Sequence, residues 1–224
     1  MNYRNRKPSP PMAFVFFFFS MAIIFSLSTG EQQIDSTSTP GDDKLQVTVY
    51  YEALCYDSIQ FITNQLAPSW VKRRGNWMDL KLVPFGKAYI DDSNADNPRY
   101  YCQHGQRECQ LNILHGCVLD KLTLDQAFPV IACLMRGFRT SFDECIKNHT
   151  DVKADIESCA EGKRGAALFK QAETDTNLVA TPLSFVPSIE VNYVFDYYDQ
   201  DRWLNRFDHS FQQDFKNKFK KSLV

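Results

Sequence analysis

The sequence predicts an α/β domain that carries an all-helical insertion stapled by disulfides. Two observations predict it. Leu45 to Val83 reads as strand, helix and strand in succession, which favours a parallel strand pair joined by a right-handed crossover. Six of the seven cysteines then fall between Cys102 and Cys159, in a stretch whose apolar spacing is mostly helical.

The chain has 224 residues, a formal net charge of −2, 44% hydrophobic and 14% aromatic residues. That is enough for one good-sized core, and the near-neutral charge gives no reason to expect a nucleic-acid partner. Residues 1–30 read as a signal peptide. Arg4, Arg6 and Lys7 precede the uncharged run Met12 to Leu27, and the small residues Ser26, Ser28 and Gly30 lie at its end and just after it. The run is shorter than the roughly 20 residues a spanning helix needs, so cleavage is expected, with no stable membrane insertion afterwards. Residues 31–44 are polar, contain Pro40 and read as a flexible leader. The folded domain is expected over residues 45–224, with the insertion at about 100–160.

The elements follow in order. Leu45 to Tyr51 alternates as a strand, with Val47 and Val49 on one face and Thr48 and Tyr50 on the other. Asp57 to Val71 has helical spacing in Ile59, Ile62, Leu66 and Trp70, and Met78 to Val83 alternates again. Pro84, Gly86 and the run from Asp91 to Pro98 mark a loop. Within the insertion, Leu111 to Leu124 and Gln126 to Met135 read as helices, and Arg164 to Thr174 follows as another. Thr181 to Phe195 gives two short strand-like runs broken at Pro187. From Gln200 to Lys220 one helix is expected, since Trp203, Phe207, Phe211, Phe215 and Phe219 recur every four residues. That stripe packs on the sheet in the plain reading and meets a membrane or partner in a sharper one.

All seven cysteines (Cys55, Cys102, Cys109, Cys117, Cys133, Cys145 and Cys159) follow the signal segment. In a secreted chain cysteines pair, and an odd number leaves one over. If the six from Cys102 to Cys159 pair among themselves, Cys55 is free. The spacing leaves the pairing open. Asn148-His149-Thr150 is a glycosylation sequon, which has meaning in the secretory pathway.

Cys55 is the candidate nucleophile. It stands between a strand and a helix start, where free N–H groups and the helix dipole favour a thiolate. The alternative is an inert buried cysteine, but Tyr56, Asp57 and Ser58 suit a loop-to-helix start better than a core. Asp57 favours the first helical turn and opposes a neighbouring thiolate. Val186-Pro187 precedes a strand candidate, the place where redox folds built on β-α-β often put a cis proline opposite the reactive cysteine. Tyr56, Val186 and Pro187 are therefore candidate substrate contacts.

Cys102, His104 and Cys109 could be imagined as metal ligands, but their spacing fits no common zinc pattern, and no metal is expected there. Two disulfide-bonded cysteines around a polar helix start is the preferred reading. Gly105 would allow a positive-φ turn, and Glu108 suits a first helical turn.

This stretch, C-Q-H-G-x-x-E-C-x-x-N, resembles the signature of the gamma-interferon-inducible lysosomal thiol reductase (GILT) family at Cys102, Gln103, His104, Gly105, Glu108, Cys109 and Asn112. The resemblance continues through Cys145 and the stretches around Cys133, Cys159 and Pro187, and covers about Leu45 to Asn192. It implies a thioredoxin-like fold with a helical insertion, delivery to lysosomes or secretion, and reduction of protein disulfides at acidic pH. Two departures stand out. Mammalian members carry C-x-x-C where this chain has Cys55-Tyr56-Asp57-Ser58, so it resembles the insect-type C-x-x-S branch. They also carry further cysteines near the C-terminus, and none follows Cys159.

A serine cannot resolve a mixed disulfide, so an external small thiol is the expected reductant and no bound cofactor is expected. Ser58 could still donate a hydrogen bond to the Cys55 thiolate. The expected partners are disulfide-bonded proteins. A non-enzymatic binding protein with this fold, and a dimer linked through Cys55 instead of a monomer, are the competing readings.

Overall fold

The computed structural model describes residues 43–73, 77–94, 97–137 and 140–223. The expected signal peptide and nearly all of the leader lie outside the described residues. Among the described residues no helix is long and apolar enough to cross a membrane.

Strand β1 (Leu45–Tyr51) enters first, and α1 (Tyr56–Phe61) follows it. The helix expected as far as Val71 does not run straight. It passes through a π-helical turn at Ile62–Leu66 into α2 (Ala67–Arg73). Pro68 explains the break, because it has no N–H to return to the carbonyl four residues earlier. Strand β2 (Met78–Pro84) lies parallel to β1, with Leu45 opposite Met78 and Tyr51 opposite Pro84. Asp79 and Lys81 are exposed while Met78, Leu80 and Leu82 are buried, so the alternation read from the sequence is realised.

A hairpin of β3 (Tyr89–Asp91) and β4 (Arg99–Tyr101) follows; the sequence reading had a loop there. Five helices come next: α3 (Gln106–Lys121), α4 (Leu124–Leu134), α5 (Phe142–Ile146), α6 (Lys153–Glu161) and α7 (Lys163–Val179). Helix α3 begins five residues before the expected Leu111 and ends before the expected Leu124. Leu122 is extended, and Thr123 caps α4 with its N–H on Gln126 Oε1 at 3.3 Å.

Only one strand forms near Pro187: β5 (Ser188–Val191), antiparallel to β1 with Val49 opposite Ile189. The other expected run stays irregular, since Pro182 and Pro187 have no N–H to give a ladder. The three-stranded sheet has the order β2-β1-β5. Its central strand is buried on both faces, Thr48 and Tyr50 included.

The C-terminal segment is two helices, α8 (Gln200–Asn205) and α9 (Phe207–Phe219), broken at Arg206. Trp203, Phe207, Phe211 and Phe215 are all buried in the main core. The stripe therefore packs inward, and the membrane or partner reading of this face is corrected. The rings stack along the helix, at 6.2 Å for Phe207–Phe211 and 6.3 Å for Phe211–Phe215.

The disulfides are Cys102–Cys109, Cys117–Cys159 and Cys133–Cys145. They tie α3 to the turn before it, to α6, and α4 to α5. Among the described residues Cys55 is the free cysteine.

Candidate active site: a cysteine held at a helix start

Cys55 is the N-cap of α1 and is half-buried. Its carbonyl accepts the Ile59 N–H at 2.9 Å, closing the first helical turn. Its Sγ lies 3.8 Å from the Val186 carbonyl oxygen, and the Val186–Pro187 bond is cis. The proline loop expected opposite the cysteine is therefore there. Val186 and Pro187 are buried, so this loop presents backbone near the sulfur, while Tyr56 is 68% exposed beside it. A groove of about 350 Å³ runs from Phe185, Val186 and Pro187 across to Asp57, Gln60 and Asn64, and ends at Leu204 and Asn205.

The chain leading into Cys55 leaves the strand, bends at Ala53 and Leu54 and is buried, so its backbone N–H groups need partners. Three consecutive ones find them on side chains. The Glu52 N–H donates to Ser58 Oγ at 3.4 Å, the Ala53 N–H to Asn112 Oδ1 at 2.9 Å, and the Leu54 N–H to Glu108 Oε2 at 3.2 Å. Asn112 and Glu108 are one helical turn apart on α3, so both face this loop. The signature stretch is thus a clasp for the chain that carries the thiol. Ser58 is fully buried beneath that chain as an acceptor for Glu52.

The rest of the signature shapes the clasp. Gly105 has φ +84°, in the region open to glycine, and starts α3. His104 folds back so that its N–H donates to Glu108 Oε1 at 3.0 Å and its Nδ1 meets Glu108 Oε2 at 2.6 Å. The Cys102–Cys109 disulfide closes this turn. With both sulfurs joined, the Cys102, His104 and Cys109 ligand set is not available. Gln103 is exposed. Asn148 of the sequon is exposed on a turn.

Sequence reasoning missed Glu52. It is fully buried, and its Oε1 accepts the Lys87 N–H at 2.7 Å. Burial raises its carboxyl above the usual carboxylate range; the Lys87 N–H works against this, and Glu108 adds to it. Gly86, at φ +62°, makes room, since a Cβ there would stand 2.4 Å from Glu52 Cγ. The signal was an acid inside the apolar run Val47 to Leu54. Also missed was the Tyr51–His115 contact, Oη to Nδ1 at 3.0 Å. Complete burial holds His115 far below its usual range, at about 3.

The family model described as gamma interferon inducible lysosomal thiol reductase (GILT) matches residues 46–162. A GILT-like protein 2 of Drosophila melanogaster is 33% identical over 82% of this chain and 86% of its own length. A gamma-interferon-inducible lysosomal thiol reductase of Mus musculus is 33% identical over 68% of this chain and 62% of its own length. Among solved structures, oxidised BdbD from Bacillus subtilis has a TM-score of 0.55 at 11% identity, covering 78% of this chain and 89% of that one. At that identity the likeness speaks to the fold alone, which is thioredoxin-like with a disulfide-stapled helical insertion. From the buried clasp to the matched stretch of residues 46–162, the chain belongs to the gamma interferon inducible lysosomal thiol reductase (GILT) family.

Proposed function

We propose that this chain is a monothiol reductase of protein disulfides acting through Cys55. The observation that carries it is the free Cys55 at a helix start, 3.8 Å from the Val186 carbonyl. Membership of a thiol reductase family supports the broader class of thiol oxidoreductase.

The Cys55 thiolate attacks one sulfur of a substrate disulfide. A Cys55–substrate disulfide forms, and the other substrate sulfur leaves as a thiolate. An external small thiolate then attacks the substrate sulfur of the mixed disulfide and releases Cys55. A second small thiol reduces the substrate–thiol disulfide, so two small thiols are oxidised for each substrate disulfide reduced. Ser58 takes no part in electron transfer and holds the chain before Cys55. The groove beside Pro187 offers apolar and amide side chains to an extended substrate segment. Val186 and Pro187 from the groove wall, and the exposed Tyr56 next to Cys55, are the proposed substrate contacts.

The working place is the secretory pathway, in the lysosome or outside the cell, with Asn148 glycosylated. Its exposed turn suits that modification.

The test is reduction of a denatured disulfide-bonded protein at acidic pH with added small thiol, comparing wild type with Cys55→Ser. Activity that requires both the small thiol and Cys55 supports the proposal. Equal rates for the two proteins overturn it, and the groove would then belong to a secreted binding protein. Non-reducing electrophoresis separates either from a Cys55-linked dimer.

A further inference from the structure

We propose that Glu52, His104 and Glu108 form a zinc site that bridges the end of β1 to the start of α3, beside the chain that carries Cys55. Ligand atoms of the three residues lie within 4.8 Å of one another. His104 Nδ1 is 2.6 Å from Glu108 Oε2 and 3.6 Å from Glu52 Oε2.

The observation that points to a ligand is Glu52 Oε2. Glu52 is fully buried, and this oxygen has no hydrogen-bond partner, although Oε1 of the same carboxylate is satisfied by Lys87. It faces the imidazole and the second carboxylate. A buried carboxylate oxygen left alone is costly. Two buried carboxylates share one half-exposed imidazole, an acid-rich donor set that suits a cation. A divalent cation supplies the missing contact.

The donor set selects the ion. Two carboxylates and a neutral imidazole suit zinc, and three protein ligands with one open position is a known zinc arrangement. A tetrahedral zinc shell puts ligand atoms about 3.4 Å apart. The 3.6 Å separation already fits, and the 2.6 Å contact opens by about 0.8 Å once His104 Nδ1 turns its lone pair to the ion. The His104 side chain is 37% exposed, which gives the ion a path and a water for the open position. Backbone N–H groups already orient the ligands, with Leu54 on Glu108 Oε2 itself and the others on the second oxygen of each carboxylate. The Lys87 N–H holds Glu52, and the Leu54 and His104 N–H groups hold Glu108. The site does not depend on Cys55 chemistry.

The test uses the untagged mature chain with its disulfides oxidised, in a Cys55→Ser background so that no thiolate binds metal. After stripping with a chelator it is dialysed against zinc chloride at neutral pH, and bound metal is counted by mass spectrometry. One zinc per chain is expected, with affinity reduced about tenfold or more in Glu52→Gln and in His104→Ala. Zinc should also raise the thermal midpoint of the parent and leave that of His104→Ala unmoved. His104 is partly exposed, so this variant keeps the test valid if Glu52→Gln fails to fold. No zinc bound to the folded parent overturns the site, as does zinc bound equally by the parent and His104→Ala.

Discussion

Glu108 Oε2 accepts the backbone N–H of Leu54 at 3.2 Å, across 54 residues of chain. A side chain of the helical insertion thus fixes the residue directly before Cys55. Replacing Glu108 with Ala leaves the buried Leu54 N–H and the part-buried His104 N–H without their acceptor. The expected loss is about 2–4 kcal/mol. Urea denaturation reads the stability, and the alkylation rate of Cys55 should change with it. Asn112→Ala should do the same on a smaller scale, through Ala53, at about 1–3 kcal/mol.

Ser58→Cys places a second thiol one helical turn from the first. Turnover at low external thiol is expected to rise about tenfold or more, because resolution becomes intramolecular. Losing the Ser58 hydroxyl as acceptor for Glu52 should cost about 1 kcal/mol. Rate against small-thiol concentration is the measurement. An unchanged dependence would mean that this buried position cannot reach the mixed disulfide.

Gly86→Ala is expected to destabilise the protein by about 2 kcal/mol or more, since φ is +62° and the new Cβ meets Glu52. Thermal unfolding checks it. A neutral result would show that Glu52 can move.

Stability should fall in acid through His115. The fold lowers this group from 6.5 to about 3 by desolvation. Above about pH 6.5 both folded and unfolded states are neutral there. Below it only the unfolded chain takes up the proton, so this contribution falls as pH falls. By pH 5 the loss is about 2 kcal/mol relative to pH 8. Glu52 runs the other way: its raised carboxyl favours the fold in acid, and that contribution fades as pH rises. Comparing wild type with His115→Gln isolates the histidine, and the variant should show the shallower acid slope.

Phe211→Ala should cost about 3–5 kcal/mol, because the ring is fully buried and touches Phe207 and Phe215. Calorimetry of the variant tests the inward packing of the last helix.

Much of this was legible in the sequence for a physical reason. Alternation marked β1 and β2 because their neighbours in sequence face opposite sides, and four-residue spacing marked the Phe207–Phe219 stripe. Cys55 stood out because an odd cysteine and a strand-to-helix junction coincide. What stayed hidden depends on distant partners. Glu52, Lys87 and Glu108 meet only after folding, and no local period records that. The hairpin of β3 and β4 was lost among turn-forming residues. The break at Arg206 carries neither proline nor glycine, so its spacing read as one helix. The signature pattern named Glu108 and Asn112, but the Ala53 and Leu54 N–H groups they hold leave no trace in side-chain identity.

The Cys102–Cys109 bridge has a consequence for the surroundings in which this protein can work. A reductase that keeps disulfides of its own is one of its own potential targets. Both cysteines of Cys117–Cys159 are buried, whereas Cys102, like Cys133, is half-exposed, so a rising thiol concentration reaches the turn around Glu108 before it reaches that inner bridge. Opening that turn slackens the clasp on Leu54 and takes the thiol out of register. Under the proposed monothiol cycle, the reagent that restores Cys55 at low concentration is expected to silence it at high concentration, giving the protein a ceiling as well as a floor of reducing power.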